Sequence, residues 1–168
     1  YKRQVWCWEE LARVPGIAYR LDGEVVRTPE RGLLRPLDQL PFPERRREAL
    51  DAYFGAWRAR HGETAMSLAS SRGCPYHCTW CSKQVYGDTF RRRSVSNVVD
   101  EVIAIRETFD PDQLWFVDDM FTINRTWVKH FCREMIARDA VTPFYLIGRP
   151  ERLDTETLSL LREAGLYR

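Results

Sequence analysis

From Ala65 onward the chain alternates three times between a short apolar run and a stretch of helical periodicity. Ala65-Met66-Ser67-Leu68-Ala69-Ser70 reads as a strand. After a cysteine-rich loop comes a helix from Val95 to Thr108, with Val95, Val98, Val99, Val102 and Ile103 at helical spacing behind Ser94 as N-cap. Leu114-Trp115-Phe116-Val117 is a second strand that stops at Asp118-Asp119, and Asn124 caps a helix bearing Trp127, Phe131, Met135 and Ile136. Phe144-Tyr145-Leu146-Ile147 is a third strand. Thr155 caps a third helix carrying Leu158 and Leu161, Gly165 ends it, and Leu166 begins a fourth strand. Parallel strands need a crossover connection, so this alternation predicts an α/β fold around a parallel sheet. In such sheets and barrels, ligands gather at the carboxyl ends of the strands. The cysteine loop, Asp118-Asp119 and Arg149 all fall at such ends.

Upstream the pattern differs. Val14-Pro15-Gly16 and Asp22-Gly23 mark turns, with Ile17-Ala18-Tyr19-Arg20 and Glu24-Val25-Val26 as hairpin strands between them. Leu40-Pro41-Phe42-Pro43 closes this region, because two prolines forbid a continuing helix or central strand. Residues 1–43 therefore read as a linker with a small hairpin. From Glu44 to about Arg60 comes a helix with Leu50, Tyr53, Phe54 and Trp57 on one face.

Composition excludes several classes. With 168 residues, 44% hydrophobic, the chain can bury one ordinary core. A net charge of +2 is close to balanced, short of the excess a nucleic-acid binder carries. The runs Arg45-Arg46-Arg47 and Arg91-Arg92-Arg93 read as solvated helix faces and loop charges. No apolar stretch approaches the ~18 residues of a membrane span, and no signal peptide precedes the fold, so a soluble protein is expected. Five cysteines without a secretion signal predict a reducing compartment, the cytoplasm, and a metal or cluster site rather than disulfides. Starting at Tyr1 and entering a strand at Leu166, the chain reads as a piece of a longer protein.

Three of those cysteines lie in Ser71-Arg72-Gly73-Cys74-Pro75-Tyr76-His77-Cys78-Thr79-Trp80-Cys81, spaced C-x3-C-x2-C. Three thiolates on one tight loop can each hold one iron of a cubic cluster. No fourth cysteine is near, which leaves one iron with an open position for a small molecule, whereas electron-transfer clusters take four cysteines. The competing reading is a non-catalytic, zinc-stabilised α/β binding module. Zinc wants four tetrahedral ligands, usually as two separated pairs, and His77 as the fourth would adjoin Cys78 awkwardly.

The cysteine loop resembles the signature of the radical S-adenosylmethionine superfamily, C-x3-C-x-aromatic-C at the end of the first barrel strand, with Trp80 in the aromatic slot. The likeness extends to its cobalamin-linked subgroup through Gly16–Arg20 with Asp22-Gly23, Leu40–Pro43, Ser71–Tyr76, Arg93-Ser94-Val95 with Asn97–Glu101, Phe116–Asp119 and Leu160–Gly165. The resemblance implies a partial TIM-type (βα) barrel: about three βα units plus an incomplete fourth, preceded by the hairpin and helix. Residues 1–60 would be the linker and helix after a cobalamin-binding domain, and 61–168 the N-terminal half of the core. It further implies a [4Fe–4S] cluster on Cys74, Cys78 and Cys81. The open iron would be chelated by S-adenosylmethionine and reductive cleavage would give a 5′-deoxyadenosyl radical. The reaction would be cobalamin-linked methylation or an oxidative cyclisation, on a small-molecule substrate, with a reductant such as flavodoxin or ferredoxin. Members bind cobalamin through a D-x-H-x2-G motif; His61, His77 and His130 all lack it, so cobalamin would sit in a domain outside this chain.

In that family the position of Asp118 and Asp119 contacts the methionine amino group of the cofactor, which a carboxylate suits electrostatically; plain strand-ending turn chemistry is the alternative. Arg149 meets a cofactor or substrate carboxylate, or pairs with Glu151 on the surface. Trp80 lies beside the adenine, or only packs. Cys132, on the helix with Phe131 and Met135, reads as a small hydrophobe, and Cys7 between Trp6 and Trp8 as a packing residue. The substrate is not legible. A lone half barrel would leave a raw sheet edge, and catalysis by this piece would need the rest of the barrel or a partner chain.

Overall fold

The parallel sheet follows from where the apolar residues of three short strands can go. In the computed structural model, which describes residues 8–82, 86 and 88–167, the chain divides into two compact units, Tyr1–Leu34 and Arg35–Arg168. In the first, a short helix α1 (Trp8–Ala12) precedes a hairpin of β1 (Ala18–Leu21) and β2 (Glu24–Arg27). The hairpin pairs antiparallel, with Leu21 opposite Glu24 across the Asp22-Gly23 turn. Trp8 stacks on Tyr19, ring centroids 5.9 Å apart. The expected hairpin is present; Cys7 lies outside the described residues.

The second unit opens with a strap, residues 35–46, leading into α2 (Arg47–His61). That helix starts three residues later than its periodicity suggests and ends on Gly62. Leu50 and Phe54 pack against the core, while Tyr53 stays exposed and stacks on Trp57 at 5.4 Å. The central strands are β3 (Ala65–Leu68), β6 (Gln113–Phe116) and β7 (Phe144–Tyr145), in the order β3-β6-β7, all parallel. Met66 faces Leu114, and Leu114 faces Phe144. Between β3 and β6 lie a small ladder of β4 (Ser71–Arg72) and β5 (Arg91–Arg92) and then α3 (Val95–Phe109). Helices α4 (Arg125–Ala137) and α5 (Thr155–Glu163) follow β6 and β7.

Ser94 and Asn124 cap α3 and α4 as expected, accepting from the N–H groups of Asn97 and Trp127. The cap of α5 is Asp154, not Thr155: its carboxylate accepts from the Thr157 N–H and hydroxyl, and these bonds hold it down at a pKa of about 2. The third strand is shorter than its apolar run: past Tyr145 the chain bonds instead to the turn after β6, where the Ile147 carbonyl accepts from the Phe121 N–H. The expected fourth strand is a single parallel bridge between Phe144 and Leu166 among the described residues.

Alternation along the strands sends Met66, Leu68, Leu114, Phe116 and Phe144 to one face. There they meet Val98, Val99 and Val102 of α3, Phe131 and Met135 of α4 and Leu161 of α5 in one core. Phe116 is its centre, fully buried with the rings of Phe121, Phe131 and Phe144 at 4.9, 5.5 and 5.4 Å. The other face carries Ser67, Trp115, Val117, Tyr145 and Ile147 and is open among the described residues. Trp115 and Tyr145 stack there at 5.4 Å, beside a cavity of about 560 Å³ lined also by Leu50, Tyr53 and Trp57. Parallel sheets are ordinarily covered on both faces; here Trp115 and Val117 of the second face are exposed. Phe116→Ala should lower unfolding free energy by about 3–5 kcal/mol, read as a drop in the urea midpoint of the chain.

Candidate functional site

The cysteine loop leaves the sheet at the carboxyl end of β3, and its base is the β4–β5 ladder. Ser71 pairs with Arg92 and Arg72 with Arg91. One residue in from the ladder, Gly73 has φ +81°, and a side chain there would be driven into the Thr89 carbonyl oxygen, so the loop entry requires glycine. Within the loop, Cys74 and Cys78 are half-buried and Cys81 is exposed; the Cys81 N–H donates to the Cys78 carbonyl at 3.1 Å. Among the described residues, no three His, Cys, Asp or Glu side chains are gathered closely enough to hold a metal ion. The donor set still fits an iron–sulfur cluster in kind: three partly accessible thiols on one glycine-entered loop. His77 is exposed, its Nδ1 3.9 Å from the Asp88 carboxylate. Trp80 is 86% exposed.

The end of β6 is bound to the entry of this loop. Asp118 is buried, 2% exposed. Its Oδ2 accepts from the Ser70 N–H at 3.0 Å, and its Oδ1 accepts from the hydroxyls of Ser70, at 2.8 Å, and of Ser71. Asp119, one residue on, is exposed. The exit of the loop is tied to the same place, since Arg92 Nη2 donates to the Phe121 carbonyl at 2.7 Å. Its guanidinium lies 4.3 Å from the Trp127 ring centroid, with the rings of Phe90 and Phe121 at 5.2 and 5.4 Å. Burial pushes the Arg92 pKa down to about 10, and the Asp118 charge opposes that shift.

The end of β7 joins from the other side. The Phe121 N–H donates to the Ile147 carbonyl at 2.9 Å, and the Arg149 N–H to Thr122 Oγ1 at 3.1 Å. The Arg149 guanidinium sits 4.5 Å over the ring of Tyr76, and Arg152 Nε donates to the Tyr76 hydroxyl at 2.9 Å. Arg149 also pairs with Glu151 at 2.5 Å, so the surface pair and the approach to the cysteine loop coexist. Loop, aspartate pair and Arg149 thus meet at one end of the sheet.

No family model matches the chain. Over 92% of its length it is 32% identical to cytidylyl-2-hydroxyethylphosphonate methyltransferase of Streptomyces wedmorensis, covering 34% of that protein. Over 95% it is 26% identical to the anaerobic magnesium-protoporphyrin IX monomethyl ester cyclase of Synechocystis sp., covering 31%. Its fold superposes with TM-score 0.72 on TsrM of Kitasatospora setae, a radical S-adenosylmethionine methyltransferase solved with cobalamin and a [4Fe-4S] cluster, at 21% identity over 92% of this chain and 32% of that one. The chain is a relative of the cobalamin-linked radical S-adenosylmethionine enzymes. It spans about a third of the length of each of these proteins.

Several residues at the site escape the sequence reading, and Arg45 and the Arg91-Arg92-Arg93 run are not the solvated charges it expects. Arg91 is buried, Arg92 lies in its aromatic box, and Arg93 reaches Glu101, Asn97 and the Ala69 carbonyl. Arg45 donates to Glu101 at 2.6 Å, while Arg46 and Arg47 of that run are exposed. A triplet of arginines carries no sign of which faces inward. Ser70, Ser71 and Tyr76 were equally silent; the apolar strand ahead of Asp118 is the one hint that a carboxylate ends up buried. Cys132 is buried as expected, with its thiol pushed up to about 12 by burial. Maleimide treatment of the native metal-free chain at neutral pH should therefore label Cys74, Cys78 and Cys81 and spare Cys132, read by peptide mass spectrometry; early labelling of Cys132 would contradict its burial.

Proposed function

We propose that this chain is the cluster-binding and cofactor-binding portion of a radical S-adenosylmethionine enzyme, with Cys74, Cys78 and Cys81 holding three irons of a [4Fe–4S] cluster. The observation that carries the reading is the cysteine triplet on a loop rooted at the carboxyl end of a parallel strand, the end where α/β proteins bind ligands. When bound, such a cluster supplies the electron that cleaves S-adenosylmethionine reductively. The chain's own residues receive and orient the cofactor. One carboxylate of the Asp118-Asp119 pair meets its ammonium group, Arg149 offers a guanidinium to its carboxylate, and Trp80 is free to close beside the adenine.

The open sheet face favours a partial TIM-type barrel, about three βα units and an incomplete fourth. Trp115 and Tyr145 would then point into the lumen, where barrel strands pack side chains from further around the ring. Residues 1–60 act as linker and helix after a cobalamin-binding domain, and 61–168 as the first half of the core. The relatives' names include a methyltransferase and a cyclase. We read the reaction as cobalamin-linked methylation or oxidative cyclisation of a small molecule, in the cytoplasm, with flavodoxin or ferredoxin as reductant.

Anaerobic reconstitution with iron and sulfide should give a brown protein with matched iron and acid-labile sulfide and a visible absorption shoulder. Cys78→Ala should lose most of both. Zinc without sulfide in the wild type, or full iron content in Cys78→Ala, would contradict the proposal.

A further inference from the structure

The two adjacent aspartates at the end of β6 are placed for different work. Asp118 is spent: both its oxygens accept hydrogen bonds from Ser70 and Ser71, and it is 2% exposed. A carboxylate with this many donors and almost no accessible surface has little left for an incoming ammonium group. Asp119 is exposed at the mouth of the same strand. Ser71 lies two residues before Gly73 and three before Cys74, so whatever fixes Ser71 fixes the start of the cysteine loop. The other end of that loop is fixed from the turn that follows β6, by Arg92 on the Phe121 carbonyl.

Resting on the reading of the loop as a cluster site, we propose that Asp118 is a positioning residue that clasps the entry of the cysteine loop through Ser70 and Ser71, leaving Asp119 as the carboxylate that meets the cofactor. The clasp joins the carboxyl ends of β3 and β6 at one buried acceptor, so the root of the loop cannot shift without stripping a desolvated charge of its donors. Three thiols on a loop hold a cluster only if their backbone is fixed first, since ordering the loop would otherwise be charged against cluster binding. Ser71 is the discriminating residue, because its hydroxyl is buried against Asp118 and carries no charge to attract the cofactor's ammonium.

The test compares wild type, Ser71→Ala, Ser71→Thr, Asp118→Ala, the Ser71→Ala/Asp118→Ala double variant and Asp119→Ala in the full-length protein. Reconstituted anaerobically, each is challenged with a ferrous chelator, its S-adenosylmethionine affinity is measured by equilibrium dialysis, and the reduced cluster is examined by electron paramagnetic resonance. Ser71→Ala and Asp118→Ala should each release iron about ten-fold faster than wild type, the size expected from losing a hydrogen bond to a charged acceptor, and both should shift the resonance. The double variant should be no worse than Asp118→Ala, and Ser71→Thr should restore retention. Asp119→Ala should keep its iron and lose cofactor affinity. Wild-type iron retention in Ser71→Ala, with Asp118→Ala impaired only in cofactor affinity, would overturn the proposal. A wild type that takes up no iron and sulfide overturns the cluster reading instead. The clasp is then decided on metal-free protein, where amide exchange across residues 72–82 must accelerate in Ser71→Ala and Asp118→Ala, and unchanged exchange would overturn it.

Discussion

One buried carboxylate organises the functional end of this molecule. Asp118 takes two hydroxyls and a backbone N–H from the dipeptide that starts the cysteine loop, and its charge partly offsets the burial of Arg92 at the loop's exit. The geometry depends on the parallel pairing of β3 with β6. Register sets Leu68 opposite Phe116, so two residues later Ser70 and Asp118 are again side by side. That register is in turn fixed by the core, since a one-residue slip would turn Phe116 and Leu114 out to the open face.

A second ionic cluster supports the same loop from behind. Glu101, 1% exposed, accepts from Arg45 of the strap and from Arg93 at the start of α3. Arg93 also donates to the Ala69 carbonyl, and its guanidinium lies 5.4 Å from the Phe42 ring centroid. The Asp38 carboxylate accepts from the Ser94 N–H at 2.9 Å. Residues 37–45 are therefore packed onto the core by charge and ring contacts, not a free tether. Removing Glu101 would leave two desolvated guanidiniums facing each other, the costly way to break a buried ion cluster.

The elements were legible because they obey local rules. Periodicity found α3 and α4, side-chain chemistry found their caps, and the Asp22-Gly23 turn found the hairpin. The α5 cap was misplaced by one residue because Asp154 and Thr155 are both good caps, and Thr157 decides between them only in three dimensions. The strap's docking and the arginine runs were invisible, since a guanidinium in solvent and one boxed by Trp127, Phe121 and Phe90 look the same in a string. At the site, spacing singled out the cysteines, and strand ends singled out Asp118, Asp119 and Arg149. It could not tell that Tyr76 would bridge the loop to Arg149 and Arg152, or that adjacent aspartates would differ so sharply in exposure.

The central claim is that the cysteine loop holds a cluster with one iron open to a small ligand. Electron–nuclear double resonance on the reduced, reconstituted protein with S-adenosylmethionine labelled at its amino nitrogen and carboxylate tests this directly. The account predicts hyperfine coupling from both labels, as expected for direct chelation of the open iron. A cluster whose spectrum is blind to both labels, or a site that binds zinc and gives no signal at all, would contradict it.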